Sequence, residues 1–145
     1  MTGAYWLSHH RLFRLLIGYT GGLQRLNLLL LFFVALLSYA TDALALYSDV
    51  TLGVVVYAAA LGLIGTVNSL LWLYCARKGL FRDDVNPRLL AYAQVRGPVT
   101  PTVFLLSIPI AFISPGAAQV SWLAILVINL GLRQWGRRRL AGESP

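Results

Sequence analysis

The stretch LNLLLLFFVALL, residues 26–37, decides the fold. It carries no charge, and only Asn27 interrupts its apolar side chains. A helix that is apolar on every face has no side for water, so it belongs in a protein core or in a lipid bilayer. The uncharged run continues to Asp42, and with its near end included it reaches the roughly 20 residues that a membrane span requires. We therefore expect the first membrane span over residues 23–44.

Composition places the whole chain in the same class. Of its 145 residues, 58% are hydrophobic and 12% are charged, against about 25% charged in an ordinary soluble domain. A soluble chain of this length would have too little polar surface to cover itself. The lone cysteine, Cys75, excludes an intramolecular disulfide. These numbers predict an all-α integral membrane protein.

A second span is expected over residues 50–76, which are 27 residues without a charge. Small residues recur there at intervals of four, at Ala58, Gly62 and Thr66 and again at Gly65 and Ser69. Small side chains at this spacing let helix backbones approach closely in lipid. We interpret them as a packing face, although glycine is also simply common in membrane helices.

The second half of the chain predicts a helical hairpin. Residues 97–132 are uncharged over 36 positions, too many for one span, and the Ser-Pro-Gly at 114–116 is a strong turn signal. We expect spans over residues 98–114 and 117–135. Pro109 should kink the third span, because it removes a backbone donor and clashes with the preceding turn.

The predicted organisation is therefore a four-helix transmembrane domain over residues 23–145, preceded by a short helical segment over residues 1–22 on the cytoplasmic side. In that segment Leu12, Leu15 and Leu16 have the spacing of a helical face. A short helix is also expected over residues 88–95, in the polar loop between the second and third spans.

The distribution of positive charge fixes the orientation of this prediction. The twelve basic residues are Arg11, Arg14, Arg25, Arg77, Lys78, Arg82, Arg88, Arg96, Arg133, Arg137, Arg138 and Arg139. With four spans, all of them lie on one side of the membrane. By the positive-inside rule both termini are cytoplasmic, in a multi-pass protein of the cell membrane. Basic residues placed between apolar runs do not predict a nucleic-acid partner.

No catalytic arrangement is visible in the sequence. It contains no nucleophile–base pair, no glycine-rich phosphate loop and no carboxylate pair within a span, so we expect neither an enzyme nor a cofactor. His9 and His10 are adjacent and would point about 100° apart on a helix, which does not favour a metal site. Three intramembrane amides, at Asn27, Asn68 and Asn129, are interpreted as interhelical hydrogen-bonding groups. The alternative is that they line a water-filled path.

Two parts of the sequence resemble the prokaryotic transmembrane protein 175 family of potassium channels. The residues that carry the resemblance are Trp6-x-x-His9-His10-Arg11-x-Phe13 followed by residues 26–37, and the later segment LLSIPIAFISP at residues 105–115. Members of this family have six helices per repeat and assemble around a central pore, as tetramers in prokaryotes.

The resemblance implies that this chain corresponds to the end of the family's second helix and to helices three to six. The family's first helix, which lines the pore and carries a Phe-Ser-Asp motif, has no counterpart in it, and its pore-lining residues are left unknown. By the same resemblance, Trp6, His9 and His10 would form part of a polar network at the cytoplasmic end.

The function implied is that of a membrane subunit or fragment of a potassium-selective, leak-type cation channel. It would conduct potassium ions down their gradient as a homo-oligomer in the lipid bilayer. Two alternatives remain. One is a non-conducting structural or assembly protein, or a truncated product. The other is a small four-helix drug-efflux transporter, which normally needs a membrane carboxylate that no predicted span carries near its centre.

Overall fold

The computed structural model describes residues 10, 12–18, 20–82, 85, 87–125, 127–128 and 131. Its helices are α1 (Gly21–Leu46), α2 (Thr51–Arg77), α3 (Pro87–Arg96), α4 (Val99–Ile113) and α5 (Pro115–Ser121). The described part of the chain forms no β-strand, and its one β-bridge pairs Leu16 with Phe81. The predicted all-α class is confirmed for these residues, and the short helix expected over 88–95 is α3.

Three stretches are long and apolar enough to cross a membrane: Gly21–Leu46, Thr51–Arg77 and Ala93–Ile113. They coincide with the first three predicted spans, and they indicate a membrane protein. The fourth predicted span, 117–135, is not among them. Helix α5 ends at Ser121 and Trp122 lies in a turn, while much of the remainder lies outside the described residues.

Helices α1 and α2 form an antiparallel hairpin. The Thr20 hydroxyl caps α1 by accepting a hydrogen bond from the Leu23 amide at 3.3 Å, which satisfies one of the first helical N–H groups. A tight turn after Tyr47 leads into α2. A β-carbon on Gly53 would collide with the carbonyl oxygens of Tyr47 and Ala43. Glycine is therefore needed where α2 begins against the end of α1.

Helix α2 lies at the centre of the described structure, between α1 and α4. Gly53 faces α1, whereas β-carbons on Gly62 and Gly65 would lie 2.7 Å from a Leu105 methyl and 2.9 Å from the Pro101 ring of α4. Gly53 and Gly62 are nine residues apart, which rotates them by about 180° around the helix. The predicted packing face is confirmed at Gly62 and Gly65, and its partner there is α4.

Helix α4 connects to α5 at the sharp turn predicted from Ser-Pro-Gly. Ser114 caps α5 by accepting a hydrogen bond from the Ala117 amide at 3.3 Å. Pro109 lies inside α4, which continues past it to Ile113. At the far end of the α1–α2 hairpin, the Gln119 side chain donates a 2.6 Å hydrogen bond to the Ser48 carbonyl. This bond ties α5 to the α1–α2 turn.

The N-terminal segment, residues 12–18, packs into the same core as the helices. Leu12 is fully buried in the cluster that contains Leu23, Leu71 and Phe81. The expected helical face through Leu16 is wrong, because the helix ends at Arg14. Leu16 instead pairs with Phe81, and flanking backbone bonds join Ile17 to Leu80 and Arg82 to Leu15 at 2.9 and 3.0 Å.

Candidate functional site

The structure describes three of the six predicted site residues. Trp6, His9 and Asn129 lie outside the described residues. His10 is exposed and has an interaction partner. Asn27 and Asn68 are described, and each of them also has a partner.

Asn27 and Asn68 lie at about the same level of the α1–α2 hairpin. The register is set where α1 begins and α2 ends: the hydroxyls of Thr20 and Tyr74 are 3.2 Å apart, and Gly22 faces the Tyr74 ring. Asn27 is five residues beyond Gly22 and Asn68 is six before Tyr74, so both are about 8 Å along the helices from this end.

The surroundings of these two amides differ. Asn68 is only 7% exposed, and within the described residues its carboxamide oxygen accepts no hydrogen bond. Asn27 is half-buried and lines a pocket together with Phe13, Leu23 and Gln24. The two amides therefore have separate environments, one within the helix packing and the other in an open pocket.

A hydroxyl-lined groove lies between α2 and the α3–α4 segment. It has a volume of about 260 Å³. Its polar lining comes from Thr66, Ser69, Gln94 and Thr102, and the remaining lining residues are leucines and prolines. The groove opens beside a close approach of the two helices, where Leu105 and Pro101 of α4 lie against Gly62 and Gly65 of α2.

The hydroxyls of this groove all bond back to their own helices. Thr66 donates to the Gly62 carbonyl at 2.7 Å, Ser69 to Gly65 at 2.8 Å and Thr102 to Pro98 at 2.8 Å. A hydroxyl has one proton to donate and two lone pairs. With the proton committed, each oxygen can act towards the groove only as an acceptor. Such a lining suits water, a cation or a hydrogen-bond donor.

Sequence analysis missed this groove. Thr66 and Ser69 were interpreted only as small residues of a packing face, and Gln94 and Thr102 were assigned no role. The three-residue spacing of Thr66 and Ser69 was the available signal, since residues at i and i+3 share a face of a helix. Their position opposite Thr102 depends on how α4 packs against α2, and the spacing of residues within α2 carries no information about that packing.

An aromatic cluster holds α5 against α2 and α4. The ring centroids of Tyr57, Phe104 and Trp122 are 5.3 to 6.3 Å apart, within the usual range for aromatic pairs. The Trp122 indole donates a 2.9 Å hydrogen bond to the Ser107 hydroxyl, and that buried hydroxyl donates to the Phe104 carbonyl at 2.7 Å. The Trp122 ring therefore has a packing role.

The arrangement defines the class of this protein as far as the structure extends: a helical protein whose long apolar helices indicate a membrane location. Comparison with family models, curated proteins and solved structures found no match. Groups of three or more histidine, cysteine or acidic side chains placed to hold a metal do not occur within the described residues.

Proposed function

We propose that this chain is a four-span membrane subunit or fragment of a potassium-selective, leak-type cation channel related to the prokaryotic transmembrane protein 175 family. The proposal rests on the resemblance of residues 6–13, 26–37 and 105–115 to that family. In this proposal residues 117–135, which begin within α5, form the fourth span. Both termini face the cytoplasm, as the one-sided distribution of basic residues favours.

The hydroxyl-lined groove is the structural feature that supports an ion-conducting role. A cation that leaves water needs oxygen ligands, and in channels these come from carbonyl, hydroxyl or carboxylate groups. The oxygens of Thr66, Ser69 and Thr102 have only acceptor capacity left. The groove opens sideways in a single copy, so further copies of the chain would be needed to close a path along it. A homo-oligomer, tetrameric by the resemblance, would meet this need.

A flux assay on the purified chain in vesicles tests the proposal. Potassium-loaded vesicles are diluted into sodium buffer, and the potential is followed with a dye. We expect a potassium-dependent potential that protein-free vesicles lack. The chain should also be tested with a co-expressed segment that carries the family's first helix. Absence of flux in both preparations, in vesicles that still respond to a potassium ionophore, would reject the proposal.

Matched variants test the groove itself. Thr66→Val and Thr102→Val remove hydroxyl oxygens from the groove while keeping the shape of the side chain. Thr41→Val is the control, because the Thr41 hydroxyl on α1 makes the same bond to the carbonyl four residues earlier, at 2.8 Å to Leu37. We expect reduced flux in the two groove variants and unchanged flux in the control. Equal flux in all three would remove the groove from the path.

A non-conducting structural or assembly protein is the second candidate. The observation that favours it is the close packing of α2 against α1 and α4, which involves Gly53, Gly62 and Gly65. A protein of this kind would form a stable oligomer in detergent and give no flux under any of the conditions above.

A further inference from the structure

The hydroxyl-lined groove is also suited to a ligand other than an ion. Its hydroxyl groups belong to Thr66, Ser69 and Thr102, and each already donates its proton to a carbonyl of its own helix. A β-carbon on Gly97 would lie 3.2 Å from the Ser69 hydroxyl oxygen, so this oxygen faces the junction of α3 and α4. Oxygens that can only accept hydrogen bonds select a ligand that donates one.

The groove opens towards side chains that would face lipid. Leu63 and Leu70 lie three residues before and four residues after Thr66. Leu106 likewise follows Thr102 by four residues. Residues at these spacings share a face of a helix, and the three leucine side chains are 40, 44 and 62% exposed. With α2 and α4 in a membrane, a ligand would therefore enter the groove sideways, out of the lipid.

The groove hydroxyls of α2 lie far from the basic end of that helix. Ser69 and Thr66 precede Arg77 by 8 and 11 residues, which corresponds to about 12 and 16 Å along the helix. Half of the hydrocarbon core of a bilayer is about 15 Å thick, so an α2 that spans the membrane carries these oxygens within it. The core of the bilayer supplies no water to compete for their hydrogen bonds. A single donor group is therefore enough to favour one ligand over another.

The lining also limits the charge and the size of such a ligand. None of the described residues that line the groove is charged, so in a single copy that opens to lipid a charged ligand would have no counter-charge. The volume of about 260 Å³ is below the roughly 300–1,000 Å³ of drug-sized sites, yet it exceeds the roughly 150 Å³ of an engineered apolar cavity that binds benzene. A single ring with a short substituent fits, and a rigid ring loses less conformational freedom on binding than an alkyl chain does.

We propose that this groove binds a small neutral phenol that enters from the membrane. The phenolic hydroxyl donates a hydrogen bond to the hydroxyl oxygens that line the groove. The ring and its alkyl substituent contact Leu70, Pro101 and Leu105, which line the groove beside those oxygens. A phenol with a pKa of about 10 is neutral at about pH 7 and keeps its proton for donation. Binding needs only one copy of the chain, so this proposal holds or fails independently of potassium flux.

The test compares two probes that differ in the donor group, para-propylphenol and its methyl ether. Binding to the intact chain in detergent micelles is measured by isothermal titration calorimetry, and empty micelles serve as the blank because both probes dissolve in detergent. We expect the phenol to bind about five to ten times more tightly than the ether, as one hydrogen bond allows. Equal affinities for the two probes, or no binding above the blank, would overturn the proposal.

Matched variants locate the partner of the phenol. Thr66→Val/Ser69→Ala/Thr102→Val removes the groove hydroxyls and should bring the affinity for the phenol within about twofold of that for the ether. Thr41→Val removes a hydroxyl with the same kind of backbone bond from α1 and should keep the preference of the parent. A preference retained in the triple variant, or lost equally in the control, would overturn the site. If the triple variant loses the helical circular dichroism of the parent, Thr66→Val and Thr102→Val are compared singly with the control, and an unchanged preference in both would overturn it.

Discussion

Helices α1 and α2 are nearly equal in length, with 26 and 27 residues, and both are strongly apolar. They nevertheless take different places. Eleven residues of α2 are buried, against four in α1. Helix α1 exposes four leucines and one phenylalanine between residues 28 and 36, whereas α2 packs on two sides. Moving an apolar side chain from lipid into a helix contact releases little free energy, so the closeness of helix packing decides which helix is central. Glycine and serine supply that fit in α2.

The largest effect is expected from filling the contact between α2 and α4. Gly65→Leu would push a side chain into the Pro101 ring, whose atoms lie 2.9 to 3.1 Å from the position of a β-carbon. A proline ring cannot rotate away, so the free energy of unfolding should fall by about 3 kcal/mol. It can be measured by titrating detergent micelles with a denaturing detergent. Ala35→Leu on the exposed face of α1 is the control, and a similar loss there would contradict the difference between the two helices.

Removing a leucine from each helix tests the same difference from the other direction. Leu61 of α2 is fully buried, whereas Leu28 of α1 is exposed. Leu61→Ala should cost about 2–4 kcal/mol, because it leaves a cavity, and Leu28→Ala should cost less than about 0.5 kcal/mol. The same unfolding titration measures both. If the Leu28 variant were the less stable of the two, α1 would have a packed outer face, as an oligomer contact through this helix would produce.

A smaller loss of stability is expected from removing the hydrogen bond that joins the end of α5 to α4. The bond from the Trp122 indole to the Ser107 hydroxyl can be isolated with Trp122→Phe, Ser107→Ala and the double variant. Hydrogen bonds between membrane helices average about 0.6 kcal/mol and reach about 1.7 kcal/mol. We expect a coupling energy in that range from the double-mutant cycle. A coupling energy of zero would mean that this hydrogen bond does not help to hold α5 in place.

The smallest effect should follow the loss of the bond from Gln119 to the Ser48 carbonyl. This bond is exposed at the end of the hairpin, where water can replace it. Gln119→Leu should therefore lower stability by about 0.5 kcal/mol, and the melting temperature in detergent is sensitive enough to detect it. Destabilisation equal to that of Leu61→Ala would show that the α1–α2 turn, rather than the centre of α2, limits stability.

The sequence was informative wherever local chemistry alone decides the outcome. Residues 26–37 are apolar apart from Asn27, so the first span could be predicted. The Ser-Pro-Gly turn at Ser114 divided the last apolar run into two helices. Small residues at intervals of four, which include Gly62 and Gly65, predicted a packing face. The partner of that face could not be predicted, because neither α1 nor α4 carries a local signal for it.

The candidate sites were less predictable. The groove combines Thr66 and Ser69 of α2 with Thr102 of α4, and the pocket combines Phe13 with Asn27 across a break in the helices. Each depends on residues far apart in the chain. Leu16 shows the same limit on a smaller scale: its spacing predicts a helical face, but it lies beyond the helix and pairs with Phe81, 65 residues later.

By itself, the sequence determined that this protein is helical and apolar enough for a membrane. It also determined where three candidate spans lie and which face of α2 carries small residues. These follow from hydropathy, turn residues and helical spacing, which are properties of neighbouring residues. The tertiary structure decided that α2 rather than the more conspicuous residues 26–37 is central, and that hydroxyls from two helices share one groove. The physical reason is that lipid solvates apolar side chains as well as a protein core does, so only the fit between distant surfaces could determine the arrangement.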